Sequence, residues 1–342
     1  MFHQMARYLI LAISLLFLPL VPTEASAERV LRIGVVYSPR VEKDKDWQEH
    51  FLNRIRYASA IFQGTFGVRF EVAAWLPWTP ENEYDSTHAL IDEMMFRFPM
   101  RDMDLMIGLT HLPDALAERR VPDLDILGIA RPFSGYMLLR YPSRSLYHIQ
   151  YNTLLLHELG HVFGAVHTDD PDTIMYPIVR TQLPSKFDPV NRQVLSVTKN
   201  LNFKQNMQQL NRGFIEQLLK AYLTFEHSLR HADYYHTIGV LYSQLGEAEL
   251  AKDAWERALL MDPGNPWIHY HMGFCQLNLG ENVDAMREFI SVVDSLLLPR
   301  GSVLRNDAKK MLGVAYYRLG DFHSAYRVWT DALEKMPDDL EL

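Results

Sequence analysis

Residues 157–167 read His157-Glu158-Leu159-Gly160-His161-Val162-Phe163-Gly164-Ala165-Val166-His167, and the fold turns on them. The preceding run, Tyr151 to Leu156, is apolar enough for a buried helix. In a helix His157 and His161, four apart, lie on one face a turn from each other. Two imidazoles so placed can reach one Zn²⁺ at about 2.0–2.1 Å. Glu158 sits one residue round, where its carboxylate can take a proton from a metal-bound water. Gly164 can adopt a left-handed conformation and end the helix sharply. That turn would carry His167 back to the same ion. Three neutral histidines leave a fourth position open, the arrangement of a catalytic rather than a structural zinc.

A bare H-E-x-x-H occurs by chance on polar helices. With Gly164 and His167 it becomes H-E-x-x-H-x-x-G-x-x-H, the signature of metzincin zinc peptidases, and the chain resembles that clan here. Thr173-Ile174-Met175-Tyr176-Pro177 follows. It resembles the Met-turn, in the Met-Tyr-Pro form of the matrixin-like members. The resemblance implies that Met175 forms an apolar floor under the imidazoles without ligating metal. It also implies that Pro177, Ile178 and Val179 line the pocket for the side chain after the cut bond. Some metzincins place a zinc-binding tyrosine two residues after the methionine. That position is Pro177 here, so Tyr176 is not read as a ligand.

Upstream, Val30 to Val36 is β-branched and reads as a buried strand. Trp47 to Phe62 has apolar residues at helical spacing and reads as a long helix ended by Gly64. Gly67 to Ala74 gives a second strand, Thr87 to Phe98 a second helix and Asp104 to Gly108 a third strand. Residues 126–130 and 135–140 make two short strands around Arg131-Pro132-Phe133-Ser134. The metal helix is expected to begin near Asn152, a plausible N-cap. In the clan, an edge strand above this helix binds substrate as an added antiparallel strand. By resemblance either short strand could take that role. Asp188-Pro189 opens a further helix, to about Asn200. Gln205 to Arg230 then reads as one long helix joining two halves.

From Ala232 the texture is repetitive. Tyr235, Gly239, Tyr242, Gly246, Ala251, Trp255, Ala258 and Pro263 fit the tetratricopeptide pattern. A second copy starts 34 residues on, with Gly273, Gly280, Ala285 and Phe289, and a third near Asn306, with Gly313, Gly320, Ala325, Trp329 and Pro337. By family analogy the inner helices line a groove. Trp267, Tyr270, Phe274 and Asn278 stand at its outward positions in copy two, and Lys310, Tyr317 and Arg318 in copy three.

The expected fold is therefore an α+β metzincin-like domain, a twisted mixed sheet plus the zinc helix, followed by an all-α tetratricopeptide solenoid. The segments are a signal peptide at 1–27, the peptidase domain at 28–203, a linking helix at 204–231 and the repeats at 232–342 (232–265, 266–299 and 306–339). Arg7, the apolar run Leu9 to Leu20 and Ala25-Ser26-Ala27 supply the three parts of a secretory signal, with cleavage after Ala27. The first strand starts just beyond, which leaves no room for a folded pro-segment, so the means of control stays open. The lone Cys275 excludes an intramolecular disulfide, and the chain leans towards a bacterial periplasm or exterior. With 48% hydrophobic and 22% charged residues the composition is globular, and the net charge of −8 argues against a nucleic-acid binder. Nothing after the signal is apolar for long enough to span a bilayer.

The resemblance implies a secreted or periplasmic endopeptidase. One Zn²⁺ would be held by His157, His161 and His167, Glu158 would be the general base, and the substrate would be protein or peptide. The groove of the repeats offers a site for a protein partner. Two alternatives stay open: a non-catalytic scaffold with a vestigial or structural zinc site, and an enzyme acting on another amide such as a cell-wall peptide. Asp169, Asp170 and Asp172 match no calcium loop and read as a solvated turn.

Overall fold

A computed structural model describes residues 28–43, 45–81, 86–112, 127–142, 148–178, 184–205, 210–224, 231–298 and 302–335. The expected signal segment 1–27, Val179 and Pro337 lie outside these residues.

Five strands form one sheet: β1 (Arg29–Tyr37), β2 (Val68–Pro77), β3 (Leu105–Leu112), β4 (Gly128–Arg131) and β5 (Tyr136–Pro142), in the order β2-β1-β3-β5-β4. All neighbours are parallel except β4, which runs antiparallel to β5 and is the sheet edge. Of the two short strands, β4 is thus the edge, while β5 is paired on both sides.

Side chains alternate across a strand, so β1 feeds two cores. Leu31, Ile33 and Val35 pack on one face with Phe51, Ile55, Ala58 and Phe62 of α1 (Trp47–Phe66) and Leu155 and Leu159 of α3 (His148–Val162). Val36 packs on the other with Met106, Leu138 and Leu90, Ile91 and Met94 of α2 (Thr87–Arg97). Helix α3 is therefore buried against the sheet on the α1 side. Phe62 sits in a ring cluster with Phe70, Phe163 and Phe187 at centroid distances of 5.0–5.6 Å. It ties α1 to the end of α3, and each such buried ring contributes about 2–3 kcal/mol.

Three boundaries differ from expectation. Helix α1 does not stop at Gly64 but runs on to Phe66, whose ring packs on Phe62 and Phe187. Gly67, at φ 72°, supplies the left-handed turn instead. Helix α3 begins at His148, four residues before Asn152, which therefore lies inside the helix rather than capping it. The single helix from Gln205 to Arg230 does not form. Gln205 closes a 3-10 turn, and α5 (Arg212–Leu223) starts afresh where the Asn211 side chain accepts from the Phe214 N–H at 3.0 Å. Before it, α4 (Pro189–Thr198) has the expected Asp188 cap and Pro189 at its first position.

Helix α5 is not a bare connector. Ile215, Leu218, Leu219 and Tyr222 are buried in the core that holds the sheet, and so are Tyr234, Ile238 and Leu241 of α6 (Ala232–Leu245). The first repeat is thus packed into the sheet domain's own core.

Helix pairs α6/α7 (Ala248–Met261), α8 (Pro266–Leu279)/α9 (Asn282–Asp294) and α10 (Val303–Arg318)/α11 (Phe322–Lys335) follow. Their spacing has a steric cause. An added Cβ on Gly239 would lie 2.5 Å from Trp255, on Gly273 3.0 Å from Phe289 and on Gly313 2.1 Å from Trp329. The first helix of each pair therefore needs glycine where the second inserts a ring. Helix α10, capped by Ser302, begins at Val303, three residues before the Asn306 expected to open the third copy. Among the described residues no helix is long and apolar enough to cross a membrane.

Candidate metal centre

Helix α3 carries His157 and His161 on one face, and Gly164, at φ 91°, ends its last turn. The Ala165 N–H donates to Gly160 O at 2.9 Å, closing that end. A Cβ on Gly164 would strike the Phe133 ring at 2.3 Å, so contact as well as dihedral demands glycine there. The chain then returns His167 to its partners. His161 Nε2 is 3.1 Å from His157 Nε2 and 3.2 Å from His167 Nε2, and His157 and His167 Nε2 are 3.2 Å apart. Among the described residues these three are the one cluster of histidine, cysteine or carboxylate groups that could hold a metal ion.

Their outer nitrogens are oriented by other segments. His157 Nδ1 donates to Ile174 O and His161 Nδ1 to Ala165 O, each at 2.8 Å. A carbonyl only accepts, so the proton of each ring sits on Nδ1 and the Nε2 lone pair faces the common point. Burial, and after it the neighbouring imidazoles, push His157 well below its ordinary pKa and His161 down to about 4. Both rings are neutral near pH 7, as metal ligands must be. The geometry also fits the ion. Four-coordinate zinc with ligands at 2.0–2.1 Å separates them by about 3.3–3.4 Å, close to the spacing of the three Nε2 atoms.

Glu158 is buried beside His157. Gly128 of β4 lies against it, and a Cβ there would be 2.8 Å from Glu158 Oε1. The sheet edge thus runs directly over the carboxylate. Met175 is fully buried, and its sulfur packs under α3 at Gly160, where a Cβ would come within 2.6 Å. The turn holding it is pinned by Thr168 N–H to Met175 O at 3.1 Å and Ile174 N–H to Lys186 O at 3.0 Å. Pro177 is half-buried and Ile178 is 47% exposed. Asp169, Asp170 and Asp172 are exposed on a turn.

Several supporting residues gave no signal in the sequence. Asn191 of α4 accepts from Val166 N–H and donates to Val166 O, both at 2.8 Å, while Asp188 Oδ2 accepts from its Nδ2 at 2.6 Å. Tyr222 of α5 donates to Gly164 O. Asp233, in the first turn of α6, accepts through Oδ2 from His167 N–H at 2.8 Å and faces His167 Nδ1 at 3.4 Å. Beside it His231 Nε2 lies 3.0 Å from Asp169 Oδ1. Burial alone would raise the Asp233 carboxyl, but the His167 ring and backbone N–H hold it well below the usual carboxylate range.

The groove positions are divided. Trp267 is covered: the Arg131 guanidinium lies 4.3 Å from its ring and His88 stacks on it at 6.2 Å. Tyr270 packs on Phe289, Arg318 donates to Leu277 O at 2.6 Å and Lys310 pairs with Asp307 at 3.2 Å. Phe274, Asn278 and Tyr317 remain exposed.

Residues 53–201 match the matrixin family model, and 232–265 match a tetratricopeptide repeat. No curated protein matches the chain. Among solved structures, that of MamA is 18% identical, covering 45% of this chain and 81% of that one with a TM-score of 0.36. YrrB, a TPR protein with an unusual peptide-binding site, is 18% identical over 44% of this chain and 71% of that one, with a TM-score of 0.33. The first TPR of Spaghetti (RPAP3), solved with an HSP90 peptide, is 21% identical, covering 32% and 82% with a TM-score of 0.29. The two matched segments are those that hold the histidine cluster and the first helix pair, so the chain carries a matrixin domain followed by tetratricopeptide repeats.

Proposed function

We propose that this chain is a zinc-dependent endopeptidase, secreted or periplasmic, whose repeats bind a substrate or partner protein. The observation that carries the reading is the meeting of three Nε2 atoms at 3.1–3.2 Å with the Glu158 carboxylate on the same helix. The matrixin match over 53–201 supports it. In this reading 28–203 is the catalytic part, 232–342 the binding part, and residues 1–27 direct export.

His157, His161 and His167 would hold the ion through Nε2, with Met175 as the apolar floor beneath. Zinc, when bound, supplies a Lewis acid that makes water more acidic and polarises a carbonyl. The chain's own residues do the rest. Strand β4 offers its free edge to an extended peptide, which pairs with it antiparallel and brings the scissile bond past Gly128 to Glu158. Glu158 accepts the proton of the attacking water and passes it to the departing amine. Pro177 and Ile178 would wall the pocket for the residue after the cut.

Glu158→Gln tests this. The variant should keep stoichiometric zinc and lose cleavage of an unstructured protein substrate. Full cleavage by the variant rejects Glu158 as the base. A wild-type chain that holds zinc yet cuts no peptide points instead to a non-catalytic scaffold.

A further inference from the structure

Two of the three histidines are oriented by backbone carbonyls from their own domain, Ile174 O and Ala165 O. The third meets a carboxylate delivered by the first repeat. Asp233 Oδ2 accepts from the His167 N–H at 2.8 Å and stands 3.4 Å from Nδ1 of its ring. Asp233 is the second residue of α6, so the helix N-terminus favours its negative charge. The helix is itself fixed in place, because Tyr234, Ile238 and Leu241 are buried in the sheet domain's core. The His231 ring lies edge-on to that of His167, 5.8 Å away.

We infer that Asp233 is a positioning residue of the metal centre, so that the tetratricopeptide array completes the site rather than merely following it. A carboxylate facing Nδ1 keeps the proton there, leaves Nε2 as the donor and makes the ring more basic. Its bond to the His167 N–H fixes the backbone from which the ring projects. The inference rests on reading the triad as a zinc site.

The test uses the full chain. Asp233→Asn keeps the size and an acceptor oxygen but removes the charge. Asp169→Asn weakens the companion contact at the same junction without touching the triad. Zinc affinity is measured by chelator competition, ligand geometry by the visible absorption of the cobalt-substituted protein, and folding by thermal unfolding of the metal-free protein. Asp233→Asn should weaken zinc by roughly 10–100-fold and alter the cobalt spectrum. Asp169→Asn should leave both near wild type. Should Asp233→Asn fail to fold, Asp233→Glu, which keeps the charge, should bind zinc more tightly than Asp233→Gln. Tight wild-type binding that Asp233→Asn does not change, an equal loss in Asp169→Asn, or equal affinities in the Glu and Gln variants would each overturn this inference alone. A wild-type chain that binds no zinc overturns the peptidase reading and this inference with it.

Discussion

Asn191 grips the peptide groups of Val166 from both sides, accepting from its N–H and donating to its carbonyl at 2.8 Å each. Val166 immediately precedes the third histidine, so one amide side chain sets the height at which His167 leaves the chain. Asn191→Ala strands two buried backbone groups. It should cost about 2–4 kcal/mol in urea unfolding of the metal-free protein. Zinc affinity should fall as well, and unchanged affinity would show that His167 is placed by other contacts.

Gly128 faces Glu158 with no space for a methyl group. Gly128→Ala should displace the carboxylate while leaving the three imidazoles alone. The expected result is a fall in kcat/KM of about 100-fold at full zinc content. An equal loss of zinc would mean that the strand supports the ligands and not the base.

Three histidines away from the triad resist protonation. Burial pushes His88 and His236 down to about 3 and His271 to about 4. In the unfolded chain each titrates near 6.5. Between those values the unfolded state binds more protons, so the folding stability these groups contribute is complete above about pH 6.5 and is lost as pH falls towards 4 and 3. Each adds a slope of about 1.4 kcal/mol per pH unit in that window. Urea midpoints of the metal-free protein should drop from pH 7 to 5, and less steeply in His236→Gln. Identical profiles for variant and wild type would refute a buried neutral His236.

Ile238 belongs to the first repeat but packs in the core of the sheet domain. Ile238→Ala should cost about 2–5 kcal/mol. By hydrogen exchange, amides of α5 and α3 should open together with those of α6. Faster exchange confined to α6 and α7 would mean that the two parts unfold separately.

Helix α3, the glycine turn and the third histidine were legible because local spacing fixes them. His157 and His161 are a helical turn apart, and Gly164 must take a positive φ wherever such a turn is made. The repeats were legible for a similar reason, since Gly239, Gly273 and Gly313 each answer a ring in the following helix. What distant segments decide was not legible. Asp233 is an ordinary first-turn acid until folding brings α6 beside His167, 66 residues away. Trp267 reads as a groove aromatic, yet Arg131 of the sheet edge covers it. Gln205 to Arg230 reads as one helix because helical texture cannot reveal that Asn211 caps a new start.

The partners of the three outer ring nitrogens enter a growing polypeptide at different times. Ala165 and Ile174 come with the motif, but Asp233 is made only after most of the matrixin segment has left the ribosome. A nascent chain that already displays all three imidazoles still lacks the carboxylate beside His167. The histidine cluster therefore reaches its final form only after the first repeat has docked.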